Sequence, residues 1–317
     1  MRCLCCGKPF AGKIPESLWH PACIKRFFGT TALPEINLTE EQLLQLATQS
    51  VDKGYTVTGV QKKLSLHLTK EEKPRLTLVG YPAGYILKPQ DSEYPNMPEA
   101  EQLVMCMADA VGIKTVPHAL IKQGDSIAYI TKRVDRQLSY DNVPQKFAME
   151  DFCQLDYKPT EEKYHGSYER CAKIISRYST RPGFDLSELF MRLVFCFLTG
   201  NSDMHLKNFS LIETTVGSNQ YVLSPAYDLL PVQLILPNDL DDTALTLNGK
   251  NQKLRRKDFL IFAETAGIPQ KAATTIMDRM LAMVTKLQTM CEESLLPESM
   301  QRGLIALIEE RARRICA

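Results

Sequence analysis

The chain has 317 residues, with 38 Lys+Arg against 37 Asp+Glu for a formal net charge of +1, 44% hydrophobic residues and 24% charged ones. That length suits about two domains of roughly 150 residues and excludes a disulfide-stapled miniature, while near-neutrality excludes a global pull toward nucleic acid or anionic lipid. No uncharged apolar run approaches the ~20 residues of a membrane span, and the first residues lack a signal-peptide pattern, so a cytoplasmic, reducing setting without membrane partners is expected.

Of the ten cysteines, Cys106, Cys153, Cys171, Cys196 and Cys291 stand singly in apolar-patterned segments, where thiols pack as small core groups. Only Cys3, Cys5, Cys6 and Cys23 cluster. Cys3 and Cys6 make a Cys-x-x-Cys knuckle, and His20 and Cys23 repeat its spacing after a loop able to bring both pairs to one tetrahedral ion. The pattern predicts structural Zn2+ in a knuckle over residues 1–36, with Cys5 able to replace a neighbour. Four protein ligands leave no open position for a catalytic water.

Next, Asn37 or Thr39 as a cap and Glu40 and Glu41 in the first turn predict a helix over 38–47. Val60, Leu64, Leu66 and Leu68 alternate with polar residues, a turn follows near Pro74, and extended runs return at Leu76–Val79 and Tyr85–Lys88. Leu103, Met107, Ala108 and Val111 share one face of a helix over 98–111 closed by Gly112, and Gly124-Asp125 joins extended runs at Val116–Ile121 and Ile127–Val134. This order implies a small antiparallel sheet with one helix across it, assigned to residues 37–136.

Residues 137–317 read differently. Leu186, Leu189, Phe190, Leu193, Val194, Phe197 and Leu198 predict a deeply packed helix over 185–197, opened by an Asp185/Glu188 capping box and ended by Gly200-Asn201. Helical periodicity recurs over 259–266, 272–291 and 300–315, giving a mainly helical second lobe and an α+β fold.

Directly after the packed helix comes Gly200-Asn201-Ser202-Asp203-Met204-His205-Leu206-Lys207-Asn208. Transfer of a phosphoryl group from ATP needs a carboxylate at the accepting hydroxyl and an oxygen ligand for Mg2+, and Asp203 and Asn208 have the Asp-x-x-x-x-Asn offset of a kinase catalytic loop. His205 adds the Asp-x-His-x-x-Asn form of lipid kinases; it serves either catalysis or loop structure, and Lys207 either touches phosphate or stays solvated. Two extended runs later, Asp228 stands where a second metal-binding aspartate belongs. Lys88, at the end of a strand, suits the phosphates, with Glu101 or the neighbouring Glu99 as its helix partner. The loop over 56–63, with its single Gly59, is placed to lie over a triphosphate. The Lys250, Lys253, Arg255, Arg256, Lys257 run reads as a solvated surface, so direct nucleic-acid binding is not expected. The Met277, Met280, Met283 and Met290 series reads as core.

The segments Gly59-Val60-Gln61-Lys62-Lys63-Leu64, Ile86-Leu87-Lys88-Pro89, Arg133-Val134-Asp135-Arg136, Asp203 to Phe209 and Pro225-Ala226-Tyr227-Asp228 resemble, in order, those of the HipA family of bacterial toxin kinases. The resemblance covers roughly residue 50 onward, and the chain looks more like the shorter, HipT-like form than the full-length one. It implies a two-lobed protein-kinase-like fold, serine/threonine protein kinase activity with ATP and Mg2+, and a toxin of a toxin–antitoxin system whose known targets are aminoacyl-tRNA synthetases. It further implies Asp203 as base, Asn208 and Asp228 as Mg2+ ligands, and Lys88 on the phosphates. Gly59, Val60 and Gln61 would lie in the ATP loop, and Thr131, Lys132, Arg133 and Val134 beside the adenine. Thr56 and Thr58 match the loop serines that family members autophosphorylate. A separate antitoxin and a small protein equivalent to the family's N-terminal subdomain are implied partners. The rival readings are a small-molecule or lipid-type kinase and a non-catalytic nucleotide-binding module.

Overall fold

Alternation of apolar and polar residues buries one face of a strand, and the leucines of residues 64–68 are sorted in this way: Leu64 and Leu66 are buried while Ser65 is exposed. The computed structural model describes residues 1–36, 63–69, 74–77, 84–138 and 144–316. The predicted helix over 38–47, the loop over 56–62 and their site candidates Thr56, Thr58, Gly59, Val60 and Gln61 lie outside the described residues. The chain forms two compact units, residues 1–102 with 116–145, and 103–115 with 146–317.

The first unit begins with helix α1 (Pro21–Phe28), which ends on Gly29 in the left-handed conformation. Strands β1 (Glu35–Ile36), β2 (Leu64–Leu68), β3 (Arg75–Thr77), β4 (Tyr85–Lys88), β5 (His118–Gln123) and β6 (Ser126–Lys132) make one sheet in the order β1-β3-β2-β4-β6-β5. The β1–β3 pair is parallel and the others are antiparallel. The β5–β6 hairpin turns at Gly124, whose φ of 60° suits a residue without Cβ. Because β4 lies between β2 and β6, with Leu87 opposite Leu64 and Lys88 opposite Tyr129, its terminal lysine is carried into the interior.

Helix α2 (Met97–Val111) starts in the first unit and ends in the second. Strands β7 (Arg136–Leu138) and β8 (Pro144–Lys146) pair with each other, and in the second unit α3 (Phe152–Leu155), α4 (Tyr168–Tyr178) and α5 (Pro182–Leu198) precede the hairpin of β10 (Ser210–Glu213) and β11 (Tyr221–Leu223), with β9 (Met149–Asp151) on the other side of β10. Helix α5 is nearly all buried along its inner residues, as its periodicity predicts, and Phe190 and Phe197 meet Phe262 and Phe259 with ring centroids 6.3 and 5.3 Å apart. The partners belong to α7 (Arg256–Thr265), which follows the short α6 (Val232–Ile235) and precedes α8 (Gln270–Ala282), α9 (Val284–Glu292) and α10 (Glu298–Cys316).

Two expectations need correction, and one helix was not predicted. Helix α5 begins at Pro182, where a missing N–H costs nothing in the first turn, so Asp185 is not a cap. Its buried carboxylate accepts from the Ser179 hydroxyl (2.6 Å), Arg181 Nε (3.1 Å) and the Leu223 N–H (2.8 Å), tying the helix start to β11. The single helix expected over 272–291 is two, interrupted at Met283. Helix α4 has no counterpart among the predicted elements, although Tyr168, Cys171, Ala172 and Ile175 bury one face behind a Ser167 cap. Among the described residues, no helix is long and apolar enough to cross a membrane.

Candidate active site

In the first unit, Lys88 Nζ donates to Glu101 Oε1 at 2.6 Å, and both side chains are almost completely buried. Strand β4 supplies the lysine and the first turns of α2 the acid. The ammonium also stands 5.2 Å from the centre of the Tyr129 ring. Glu99 is buried too, but its carboxyl, pushed up by burial, hydrogen-bonds the Asn96 side chain, which leaves Glu101 as the ion-pair partner. A desolvated ion pair of this kind is costly to assemble and fixes its members tightly, as a lysine presented to an anion requires.

The stretch Thr131–Val134 closes β6 and leads out of it. Thr131 donates through Oγ1 to the Pro117 carbonyl (3.0 Å), and the Lys132 N–H also reaches that carbonyl (2.9 Å). Arg133 forks onto Asp135 through Nε and Nη2 at 2.9 and 2.8 Å, while Val134 is half-buried. Burial pushes the Asp135 carboxyl up, but hydrogen bonds and charge from Arg133, aided by Arg136, bring it below the usual carboxylate range.

In the second unit, α5 ends at Thr199, and Gly200 turns the chain with φ 67°. The loop that follows is held by bonds from its own asparagines and backbone to the backbone groups of Asp203. The Asn201 Oδ1 accepts from the Asp203 N–H (3.3 Å), the His205 N–H reaches the Asp203 carbonyl (2.8 Å), and Asn208 Nδ2 donates to the same carbonyl (2.8 Å). Met204, Leu206 and Phe209 are buried anchors, so Asp203 and Lys207 are left as the partly accessible charged groups of the loop. His205 is buried edge-on to Tyr164, with ring centroids 5.0 Å apart. Lys207 pairs with Asp151 at 2.7 Å.

Asp228 lies past the β10–β11 hairpin with φ 59°, a conformation uncommon for a residue other than glycine and one that aspartate tolerates better than most. Its segment is clamped on both sides. The Ala226 N–H donates to the Lys114 carbonyl (2.7 Å), and Arg192 Nη2 holds the Ser224 carbonyl (2.7 Å) while its Nε pairs with Glu188 (3.0 Å). Tyr227 adds a hydroxyl bond to the Lys207 carbonyl (3.1 Å), linking this segment to the loop of Asp203.

The N-terminal cluster assembles as the spacing predicts. Ligand atoms of Cys3, Cys6, His20 and Cys23 all lie within 4.8 Å of one another. His20 Nδ1 is 3.4 Å from Cys6 Sγ and 4.0 Å from Cys23 Sγ, close to the S···N edge of about 3.6 Å that a tetrahedral zinc site requires.

Several partners were not read from the sequence. Tyr164 donates to Asp203 Oδ1 at 2.6 Å; burial and the Asp203 carboxylate hold its phenol well above the ordinary range, so it stays a donor. Asp151 and Gln102 are likewise contacts made across the fold, without a local motif, and Tyr227 stands inside the Pro225–Asp228 motif but its bond to the Lys207 carbonyl is not legible there.

The family model for the HipA-like C-terminal domain matches residues 55–287. The chain belongs to this family. It is 30% identical over 220 residues to a Sinorhizobium fredii protein named "Putative kinase Y4mE", covering 67% of this chain and 51% of that one. It is 27% identical over 222 residues to a "Putative kinase" of Haemophilus influenzae, covering 68% and 63%. The chain thus spans roughly half to two-thirds of the length of these relatives. Among solved structures it resembles HipA of Shewanella oneidensis, determined with HipB and operator DNA, with a TM-score of 0.67, 18% identity and coverage of 85% of this chain and 71% of that one. It also resembles the Helicobacter pylori proinflammatory kinase CtkA, with a TM-score of 0.54, 16% identity and coverage of 80% and 94%. The α+β fold, with its small sheet unit and mainly helical unit, is the fold of these two proteins.

Proposed function

We propose that the protein is an ATP-dependent serine/threonine protein kinase. The observation that carries this reading is the Asp203 loop, a rigid backbone from which one carboxylate remains partly accessible, in a chain whose other unit buries a lysine against a helix glutamate. Lys88, held by Glu101, binds the phosphates of ATP. Thr131 to Val134 flank the adenine, and Gly59, Val60 and Gln61 belong to the loop over the triphosphate. Asp203 orients the acceptor hydroxyl and takes its proton as that oxygen accepts the γ-phosphoryl group and ADP departs. Asn208 and Asp228 offer the hard oxygen donors that suit Mg2+, which supplies charge neutralisation on the phosphates. His205 and Lys207 hold the loop, His205 against Tyr164 and Lys207 against Asp151.

On this reading residues 37–136 and 137–317 are the two kinase lobes. The protein acts as the toxin of a toxin–antitoxin pair on a translation component such as an aminoacyl-tRNA synthetase, and Thr56 or Thr58 is the site of self-phosphorylation. The family membership and the HipA likeness support this, that HipA having been determined with its HipB partner. A separate antitoxin and a small N-subdomain-like protein are the partners we expect, in the cytoplasm. The test is intact-mass spectrometry before and after Mg-ATP, beside phosphoproteomics of a bacterial lysate given wild type or Asp203→Asn. New phosphoserine or phosphothreonine with wild type alone is the expected result. Phosphate appearing only on a small molecule, or ATP binding without any transfer, would overturn the proposal in favour of a metabolite kinase or a binding module.

A further inference from the structure

The four-ligand cluster at the N-terminus lies apart from the residues assigned to phosphoryl transfer, yet its contacts lead toward one of them. Cys3 and Cys23 are buried, and Cys6 and His20 are half-buried. The His20 N–H donates to Cys3 Sγ at 3.4 Å, the type of bond that steadies a metal-bound thiolate, and Phe10 covers the imidazole with ring centroids 4.6 Å apart. Three thiols and one imidazole form a soft donor set that selects zinc over magnesium or calcium. Cys5 is not among the four grouped ligand atoms.

The knuckle grips the sheet and helix α2 at named points. Strand β5 is an edge of the six-stranded sheet, and the knuckle holds both backbone groups of its Leu120: the N–H donates to the Leu4 carbonyl (2.9 Å) and the carbonyl accepts from Trp19 Nε1 (3.0 Å). The Cys5 carbonyl, between two ligands of the cluster, accepts from Gln102 Nε2 (3.2 Å), and Gln102 Oε1 in turn meets His118 Nδ1 (2.8 Å). Gln102 directly follows Glu101, the residue that holds Lys88. A second route runs through α1, where Phe27 and Phe28 pack on Tyr85 with centroids 5.9 and 5.4 Å apart, three residues before Lys88 in the same strand.

We propose that Cys3, Cys6, His20 and Cys23 bind one zinc ion, and that the metal-bound knuckle acts through Cys5–Gln102 and Phe28–Tyr85 to position Glu101 and Lys88. Zinc here is a structural metal, and Gln102 is a positioning residue. The link to nucleotide rests on the kinase reading, but the site and its hold on α2 do not.

The experiment takes the full-length chain, purified under reducing conditions, and measures zinc by inductively coupled plasma mass spectrometry and hydrogen–deuterium exchange in peptides covering 84–104. About one zinc per chain is expected in wild type and in Cys5→Ser, with at least a tenfold fall in His20→Ala and Cys6→Ser. Those two variants should exchange faster across β4 and the start of α2. Gln102→Met should keep its zinc and still exchange faster at the start of α2, which a purely local knuckle would not produce. Wild type that takes up no zinc after anaerobic reconstitution would overturn the site. Unchanged exchange in the zinc-free variants would overturn the coupling. Affinity for a fluorescent ATP analogue, read on the same samples, should weaken about tenfold in Gln102→Met. If zinc-loaded wild type binds no nucleotide, the kinase reading fails, and metal content and exchange still decide the inference.

Discussion

The Tyr164 hydroxyl sits 2.6 Å from Asp203 Oδ1 and donates to it. A hydroxyl on that carboxylate is what an acceptor serine or threonine must supply, so in this state the chain satisfies its own proposed base. The backbone holds Tyr164 in place, since the neighbouring Lys163 carbonyl accepts from the Leu206 N–H at 3.1 Å.

Tyr164→Phe removes the competing donor and keeps the ring against His205. A net hydrogen-bond value of about 1 kcal/mol corresponds to roughly fivefold, and we expect kcat/KM for protein phosphorylation to rise by about that factor. Steady-state kinetics on a fixed substrate checks this. A fall in rate would mean instead that Tyr164 helps to seat the substrate.

Lys88→Ala leaves a buried carboxylate without its ion-pair partner and should cost about 3–5 kcal/mol of stability as well as nucleotide binding. The double variant Lys88→Met/Glu101→Leu should recover much of the stability and none of the ATP affinity. Denaturant melts and nucleotide titrations on the same preparations separate the two effects. If the double variant is no more stable than the single one, the desolvation argument fails.

Asp242 is buried between Arg311 and Arg314 and accepts from the Leu254 N–H at 2.8 Å. Burial pushes its carboxyl up, but hydrogen bonds from Arg314, Arg311 and the Leu254 backbone, with the arginine charge, bring it below the usual range. The stability it contributes is therefore full above its unfolded value of about 3.9 and is lost as pH falls through its lower folded value. Asp242→Asn should be less stable than wild type at pH 7, and the gap should narrow as pH is lowered below about 4. Urea unfolding at a series of pH values gives both slopes.

Gly200 carries φ 67°, and a Cβ built there would run into Leu307. The left-handed conformation alone costs an alanine roughly 1–2 kcal/mol. Gly200→Ala should lower the melting temperature and disturb the loop of Asp203, and Leu307→Ala in the same chain should relieve the clash but not the backbone cost. Equal melting temperatures for Gly200→Ala and wild type would contradict this.

Local pattern made much of the architecture legible. The period-two leucines of β2, the Tyr85–Lys88 strand, the Gly124 turn and the long apolar periodicity of α5 depend on neighbours in sequence, and they form where the pattern puts them. The start of α5 did not follow the pattern, because an aspartate three residues before a glutamate has the spacing of a capping box whether it faces solvent or, as Asp185 does, an inner network. The choice between Glu99 and Glu101 was closed to the sequence for the same reason: both lie on the first turns of α2, and only the approach of β4 selects one. Tyr164, Asp151 and Gln102 meet their partners across 39, 56 and 97 positions of chain. Tyr164 and Asp151 carry no periodic or motif signal of their own, whereas Tyr168, Cys171, Ala172 and Ile175 did carry one that identifies α4.

Helix α5 delivers the Asp203 loop from its C-terminal end and grips the Asp228 segment through Arg192 partway along its length. The distance between those two attachments is fixed by a count of residues on a rigid rod. Each residue added or removed between Arg192 and Thr199 would turn one attachment against the other by about 100° and slide it by about 1.5 Å. Length is consequently constrained there more severely than composition: Val194 exchanged for another apolar residue of similar size should be borne, while a single-codon insertion beside it should not. The turn over 214–220, with exposed Thr214, Thr215, Val216 and Gly217 between β10 and β11, is the contrasting place where the chain can lengthen.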